Sequence, residues 1–326
     1  MTWTIPLRHK AFPAPYSSLL PSTFVVDELD LLWAALTVGR PNRQTVYAHG
    51  QYSIDEAMFR QAMVRANLRL DWPGSYLMHS PSFAALDPTE KGWVNFSLGM
   101  IFAKIFAAKF LGVPWLIHFK WYAQNSPVWM PSGGSTPDFV GPNPSTGEYH
   151  VIEAKGRVGG FSTKVIEVAK NQARQPIRIA GVSPTTRIGT LLFRFGKTKL
   201  ALACEDPDED ERPAIELKET LQTWQQYYRL AWELHNLDEN ERSAFKTLTG
   251  ISLKIVRPMA DHIQRLMSAD PKQDWQLIVK EIKRWAASDG TFIMRKMTGE
   301  SPDRRIFADG LELTYTPLAR KIGDQS

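Results

Sequence analysis

Pro137-Asp138-Phe139-Val140-Gly141-Pro142-Asn143-Pro144-Ser145-Thr146-Gly147-Glu148-Tyr149-His150-Val151-Ile152-Glu153-Ala154-Lys155 is the stretch from which the rest of this chain is read. Tyr149 to Lys155 is rich in β-forming residues and has the length of a strand. Side chains alternate along a strand, so Glu153 and Lys155 share one face while Ile152 and Ala154 share the other. Gly141 to Gly147 is dense in turn formers. A hairpin through that turn brings Asp138 alongside Glu153, although 14 residues lie between them. Two carboxylates on adjacent strands make a hard oxygen site suited to Mg²⁺, with the backbone carbonyl of Ala154 as a further ligand. Such an ion polarises a phosphate and lowers the pKa of bound water, and Lys155 can orient that water or neutralise charge growing on phosphorus. Pro-Asp is a common turn dipeptide and acid-x-lysine is common on exposed strands. The signal lies in their occurring together, at this spacing, on one expected hairpin.

This pattern resembles the signature of the PD-(D/E)xK nuclease superfamily, whose fold is restriction-endonuclease-like. The resemblance implies an α/β fold: a mixed central sheet flanked by helices, in the order helix, three strands, helix, strand. The pieces can be placed over roughly residues 90 to 205. Lys91 to Leu111 is a proline-free apolar run expected to be the first helix, stopped by Gly112-Val113-Pro114. Trp115 to Phe119 is expected as the first strand. Val128 to Val140, interrupted by Pro131-Ser132-Gly133-Gly134, is expected to hold the second. Thr163 to Gln175 is expected as the second helix, ended by Pro176. Thr190 to Phe195 and Leu200 to Cys204 follow as strands.

The resemblance also implies Asp138, Glu153 and Lys155 as catalytic residues, with Asp138, Glu153 and the Ala154 carbonyl as metal ligands. The cofactor is Mg²⁺, for which Mn²⁺ would substitute. Family members often carry another acid on the first helix, four residues after a glycine. Here that offset from Gly92 lands on Phe96, a departure from the pattern. Glu90 at the start of the helix has two readings, a third ligand or an acid favoured at a helix N-terminus. Gln172 and Gln175 invite comparison with second-helix glutamines in some branches of the family. Gly159-Gly160 suits a loop that clamps substrate or a plain strand-to-helix connection.

Charge points the same way. From Val151 to Lys199 there are ten cations and two acids, a net +8 against +5 for the whole chain, whose pI is about 9.2. A cationic stretch beside a metal site suits a polyanion. Arg157 and, along the second helix and just past it, Lys164, Asn171, Arg174, Gln175 and Arg178 are the expected nucleic-acid contacts. Val165, Ile166, Val168, Ala169 and Ala173 form the expected apolar side of that helix.

Outside this core the sequence is less informative. A chain of 326 residues suggests two or three domains. Residues 1–88 are read as an N-terminal extension or small domain that wraps the core or binds a partner, 89–205 as the nuclease core, and 213–326 as a mostly helical C-terminal region. Phe12 to Ser22 is expected to be irregular. Ser53-Ile54-Asp55-Glu56 is read as a capping box opening a helix to about Leu70. Glu205 to Glu211 is read as an exposed acidic boundary loop. Helices are expected over Ala214–Asn236, Glu239–Leu248, Met259–Met267 and Trp275–Ala287, and an Asp309-Gly310 hairpin closes the chain.

One cysteine, Cys204, excludes an internal disulfide and fits a reducing, cytoplasmic setting. The N-terminus lacks the apolar run of a signal peptide. The most apolar span, Val94 to Phe119, carries two lysines and a proline, so a buried helix plus strand is expected and no membrane association. No Walker loop occurs. The resulting expectation is a Mg²⁺-dependent endodeoxyribonuclease acting in prokaryotic defence or a mobile element. DNA is its partner, and a homodimer or second subunit is needed if it cuts both strands. The alternatives are a non-catalytic nucleic-acid-binding or assembly subunit and an RNA nuclease.

Overall fold

The structure is a computed structural model describing residues 1–38, 51–70, 72, 74–123, 136–174, 177–207, 215–272, 274–290 and 303–316. Its centre is a seven-stranded mixed sheet. In chain order the strands are β1 (Thr2–Lys10), β2 (Thr23–Asp27), β3 (Ile117–His118), β4 (Phe139–Pro142), β5 (Tyr149–Gly156), β7 (Thr186–Phe195) and β8 (Lys199–Glu205). Across the sheet they lie β2-β1-β8-β7-β5-β4-β3. A short pair, β6 (Ile177–Ile179) with β9 (Ile215–Leu217), stands apart from it.

Helix α5 (Pro88–Phe110) covers one face and α7 (Thr163–Ala173) the other. The alternation of β7 shows how. Leu191 and Phe193 cluster with Ile166 of α7, whereas Ile188 and Leu192 join the main core with Leu98, Ile101 and Phe102 of α5. Helix α5 is long and apolar enough to cross a membrane, but 61% of its apolar window is buried inside the protein, so it is a core helix. It opens with a capping box, Asp87 accepting from the backbone of Glu90 while the Glu90 side chain returns to the Asp87 amide. Two close approaches seat it on β5. A Cβ at Gly99 would lie 2.7 Å from the Lys155 carbonyl oxygen, and one at Gly156 1.8 Å from that of Asn95. Only glycine lets these backbones meet.

Residues 1–88 are built into this sheet. β1 pairs in parallel with β8 and antiparallel with β2, burying Trp3, Ile5 and Leu7 in alternation. Phe12 to Ser22 holds one short helix, α1 (Tyr16–Leu19). Next come α2 (Glu28–Thr37), buried along nearly its whole length, α3 (Gln51–Asn67) and the short α4 (Pro81–Ala85). Ser53 lies inside α3, so the capping-box reading of Ser53 to Glu56 does not mark that helix's start. A short helix α6 (Phe119–Ala123) follows β3.

The C-terminal region carries α8 (Leu221–Asn236), α9 (Glu239–Thr249), β10 (Ile251–Ile255), α10 (Arg257–Ser268), α11 (Trp275–Trp285), a π-turn over Ala286–Gly290, and the hairpin β11 (Arg304–Ile306) and β12 (Leu311–Tyr315). β10, β12 and β11 form a three-stranded antiparallel sheet. Helix α8 begins at Leu221, later than expected from Ala214, because Ile215–Leu217 is strand β9. The hairpin turn has Gly310 at φ +79°, the left-handed region the Asp-Gly signal requires. Arg305 pairs with Asp27 and Asp30 at the start of α2, and Phe307 stacks on Trp33 with ring centres 4.5 Å apart. The C-terminal region and the central sheet share one continuous apolar core.

The acidic run is a correction. Glu205 ends β8 and Asp206 is buried, its carboxylate accepting from the Arg187 amide at 2.7 Å. These two acids are structural, and Asp208 to Glu211 fall outside the described residues, as do Val128 to Met130 and Pro131 to Gly134.

Candidate active site

The β4–β5 hairpin forms as its turn residues require. Asn143 Oδ1 accepts from the amides of Ser145 and Thr146, and Gly147 takes φ +77°. The register sets Phe139 opposite Ile152 and Val140 opposite Val151, which puts Asp138 opposite Glu153. Asp138 Oδ2 accepts from the Ala154 amide at 3.0 Å, and its carbonyl accepts from Phe119 N at 2.7 Å. Asp138 is therefore fixed to β5 and to the first residue of α6. Lys155 donates to Glu153 Oε1.

In the parallel β5–β7 register Glu153 pairs with Gly189 and Lys155 with Leu191. Gly189 lies against Ala169 and Lys170 of α7. The acid and the lysine thus share the face that α7 covers. Glu153 is 1% exposed, while the Lys155 side chain keeps 28% of its surface in solvent.

The electrostatics follow from that burial. Desolvation, and then the nearby Asp138 charge, push the Glu153 carboxyl up to about 8, against the opposing pull of Lys155. Burial also raises Asp138, offset by the Ala154 amide and Lys155. Among the described residues no hydrogen-bond donor reaches the buried Glu153 Oε2. Two desolvated carboxylates lie together beside Lys155, and the charge of Lys120 also acts on Asp138. That donor set suits a small divalent cation.

Asp138 also borders a cavity of about 260 Å³ between α3 and α5. His118 of β3 lines it too, with its Nδ1 accepting from Lys120 N at 3.2 Å. Burial holds that imidazole down to about 4, so it is neutral at physiological pH. Sequence reasoning passed over His118. Its only local signal is a histidine in a strand that the hairpin must neighbour.

The remaining candidates divide. Glu90 is exposed and serves the α5 capping box. Among the described residues no group of three or more His, Cys, Asp or Glu side chains forms a metal-holding set, so Glu90 does not join Asp138 and Glu153 as a ligand. Phe96, the position where an acid would be expected, lines the cavity with Asp138. Lys164, Asn171 and Arg178 are exposed; Arg157, Gln172 and Arg174 are half-buried. Gln175 lies outside the described residues. Val168, expected on the apolar side of α7, is 47% exposed.

Two cations of the basic stretch serve the fold. Lys170 pairs with Glu167 at 2.8 Å and with Glu205, and Arg187 is buried with Nη1 on the Pro184 carbonyl. Others come from elsewhere. Arg8 of β1 sits 4.1 Å over the ring of Phe161, just before α7, adding an N-terminal cation near Arg157 and Arg194. No known protein family, curated protein or solved structure matches the chain.

Proposed function

We propose that this protein is a metal-dependent nuclease of the PD-(D/E)xK type with a restriction-endonuclease-like core, cutting DNA phosphodiester bonds. One observation carries the reading: Asp138, Glu153 and Lys155 meet on one hairpin, with a buried Glu153 oxygen that no donor among the described residues satisfies. With the short helix α6 and the strand β6 set aside, α5, β3, β4, β5, α7 and β7 follow the order helix, three strands, helix, strand.

In this reading Asp138, Glu153 and the Ala154 carbonyl hold Mg²⁺, with Mn²⁺ as a substitute. The ion supplies Lewis acidity and acidifies bound water. The Ala154 amide keeps Asp138 in place, and the partly exposed Lys155 ammonium positions the attacking water or meets the phosphate charge. Arg157, Lys164, Asn171, Arg174 and Arg178, with Arg8, would carry the strand backbone. The single cysteine, Cys204, fits action in the cytoplasm. Defence or a mobile element remains the setting we favour, with a homodimer or partner subunit for double-strand breaks.

The test is cleavage of supercoiled plasmid in Mg²⁺, Mn²⁺ and EDTA. Wild type should nick or linearise it only with metal. Asp138→Ala and Lys155→Ala should each lose activity at least 100-fold, the scale of removing one positioned catalytic group, with unchanged circular dichroism. Wild-type rates in either variant would remove the assignment.

The closed Lys155–Glu153 ion pair favours a second reading, a nucleic-acid-binding or assembly subunit. It predicts tight, salt-sensitive binding with no metal-dependent cleavage of DNA or RNA by wild type. Cleavage of RNA alone would identify a ribonuclease.

A further inference from the structure

The cavity beside Asp138 has walls that the acid-and-lysine chemistry does not use. Trp93, Phe96 and Met100 line it at helical spacing on α5, and Phe59 of α3 lies opposite. Phe59, Trp93 and Phe96 are 49%, 45% and 47% exposed. The Phe59 and Trp93 rings stand 5.4 Å apart at 39°. Helix faces rich in large rings ordinarily bury against another element. Here the rings stay at the mouth of a cavity, forming an exposed apolar patch next to a candidate catalytic acid. The polar lining includes Ser97, His118 and Asp138, enough to meet the edge of a flat heterocycle.

A cavity of about 260 Å³ has room for one flat ring system. Bases inside a duplex have both faces covered, so only an unpaired or extruded base can present a face to aromatic walls. A base seated here would lie beside Asp138, which lines the same cavity.

We propose that this cavity takes one unpaired nucleobase of the strand being cut, stacked on Trp93 and Phe96, so that the substrate class is unpaired nucleic acid: single strands, flaps or frayed ends. The proposal rests on the nuclease reading of Asp138, Glu153 and Lys155. It adds a determinant of substrate that those three residues lack.

The experiment uses the full-length wild type in EDTA, where metal-dependent cleavage is absent. The probes are oligonucleotides carrying one 2-aminopurine, as single-stranded DNA, single-stranded RNA and duplex DNA. Single strands should bind with quenching as the base stacks, and the duplex with neither the quenching nor comparable affinity. The DNA and RNA arms show which backbone is preferred. Trp93→Ala and Phe96→Ala should each weaken single-strand binding about ten-fold, equal to ~1.4 kcal/mol. Both side chains are about half exposed, so folding should survive, as circular dichroism would verify. Unchanged single-strand binding in both variants, or equal binding and quenching by the duplex, overturns the base site. Plasmid cleavage by Lys155→Ala tests the nuclease reading separately. Ring-dependent binding without cleavage by wild type would keep the base site and remove the cutting.

Discussion

Replacing Glu153 by glutamine isolates what the candidate site costs the fold. The Glu153 carboxyl is buried and pushed up to about 8, from an ordinary value near 4.5. Below about pH 4.5 both the folded and unfolded chains carry the proton, and burial imposes no ionisation cost. Between the two values the unfolded chain ionises while the folded chain keeps its proton, so wild-type stability falls as pH rises. Above about 8 the loss is complete. At about 1.4 kcal/mol for each pH unit, the cost reaches roughly 3 kcal/mol by pH 7 and ~5 kcal/mol at most. Glutamine keeps the shape and does not titrate. The pull of Lys155 is already contained in the shift to about 8, and below that value the folded carboxyl carries its proton, so the variant loses no anionic partner. Glu153→Gln should therefore exceed wild type by about 1 kcal/mol near pH 5, about 3 kcal/mol at pH 7 and about 4 kcal/mol at pH 8, read from urea unfolding midpoints in EDTA. Adding Mg²⁺ should stabilise wild type more than the variant, because an ion bound only by the folded site shifts unfolding by mass action. A stability difference that fails to grow between pH 5 and 8 would refute the electrostatic account.

Other perturbations follow from the packing. Gly156→Ala places a Cβ 1.8 Å from the Asn95 carbonyl oxygen. It should cost ~1–3 kcal/mol in thermal unfolding and lower plasmid cleavage by displacing the adjacent Lys155. Asp309→Ala removes the buried acceptor of Trp33 Nε1 at 2.8 Å and of the Tyr227 hydroxyl at 2.6 Å. The buried Lys104, which donates to Tyr227 at 2.7 Å, then loses Asp309, the anion that acts on it among the described residues. A loss of ~3–5 kcal/mol is expected by denaturant unfolding. Lys164→Ala, on the exposed face of α7, should reduce the slope of log affinity against log salt by about one without altering metal-dependent chemistry, measured by fluorescence anisotropy.

Much of the candidate site was legible because it is local. Asp138, the turn at Asn143 to Gly147, and Glu153 with Lys155 lie within one hairpin, where turn chemistry and period-two alternation fix which side chains meet. Helices α5, α7, α9, α10 and α11 were legible for a similar reason, since caps and apolar spacing act within a few residues. Strand β1 carried its signal in the alternation of Trp3, Ile5 and Leu7. Its role was hidden because its partner, β8, lies far along the chain. Glu90 stayed open in the sequence because a capping acid and a metal ligand look alike there, and the α5 capping box decides for the cap.

The sequence by itself determined the hairpin, its three polar residues and the alternating helices and strands around it. The tertiary structure decided how deeply Glu153 is desolvated, that Phe96 lines the cavity beside Asp138, and that Arg8 lies over the ring of Phe161 just before α7. It also joined Asp309 to Trp33 and Tyr227. Each of these depends on elements distant in sequence, whose approach is set by the shared core, and neither spacing nor composition encodes the dielectric surroundings or the empty volume that such an approach creates.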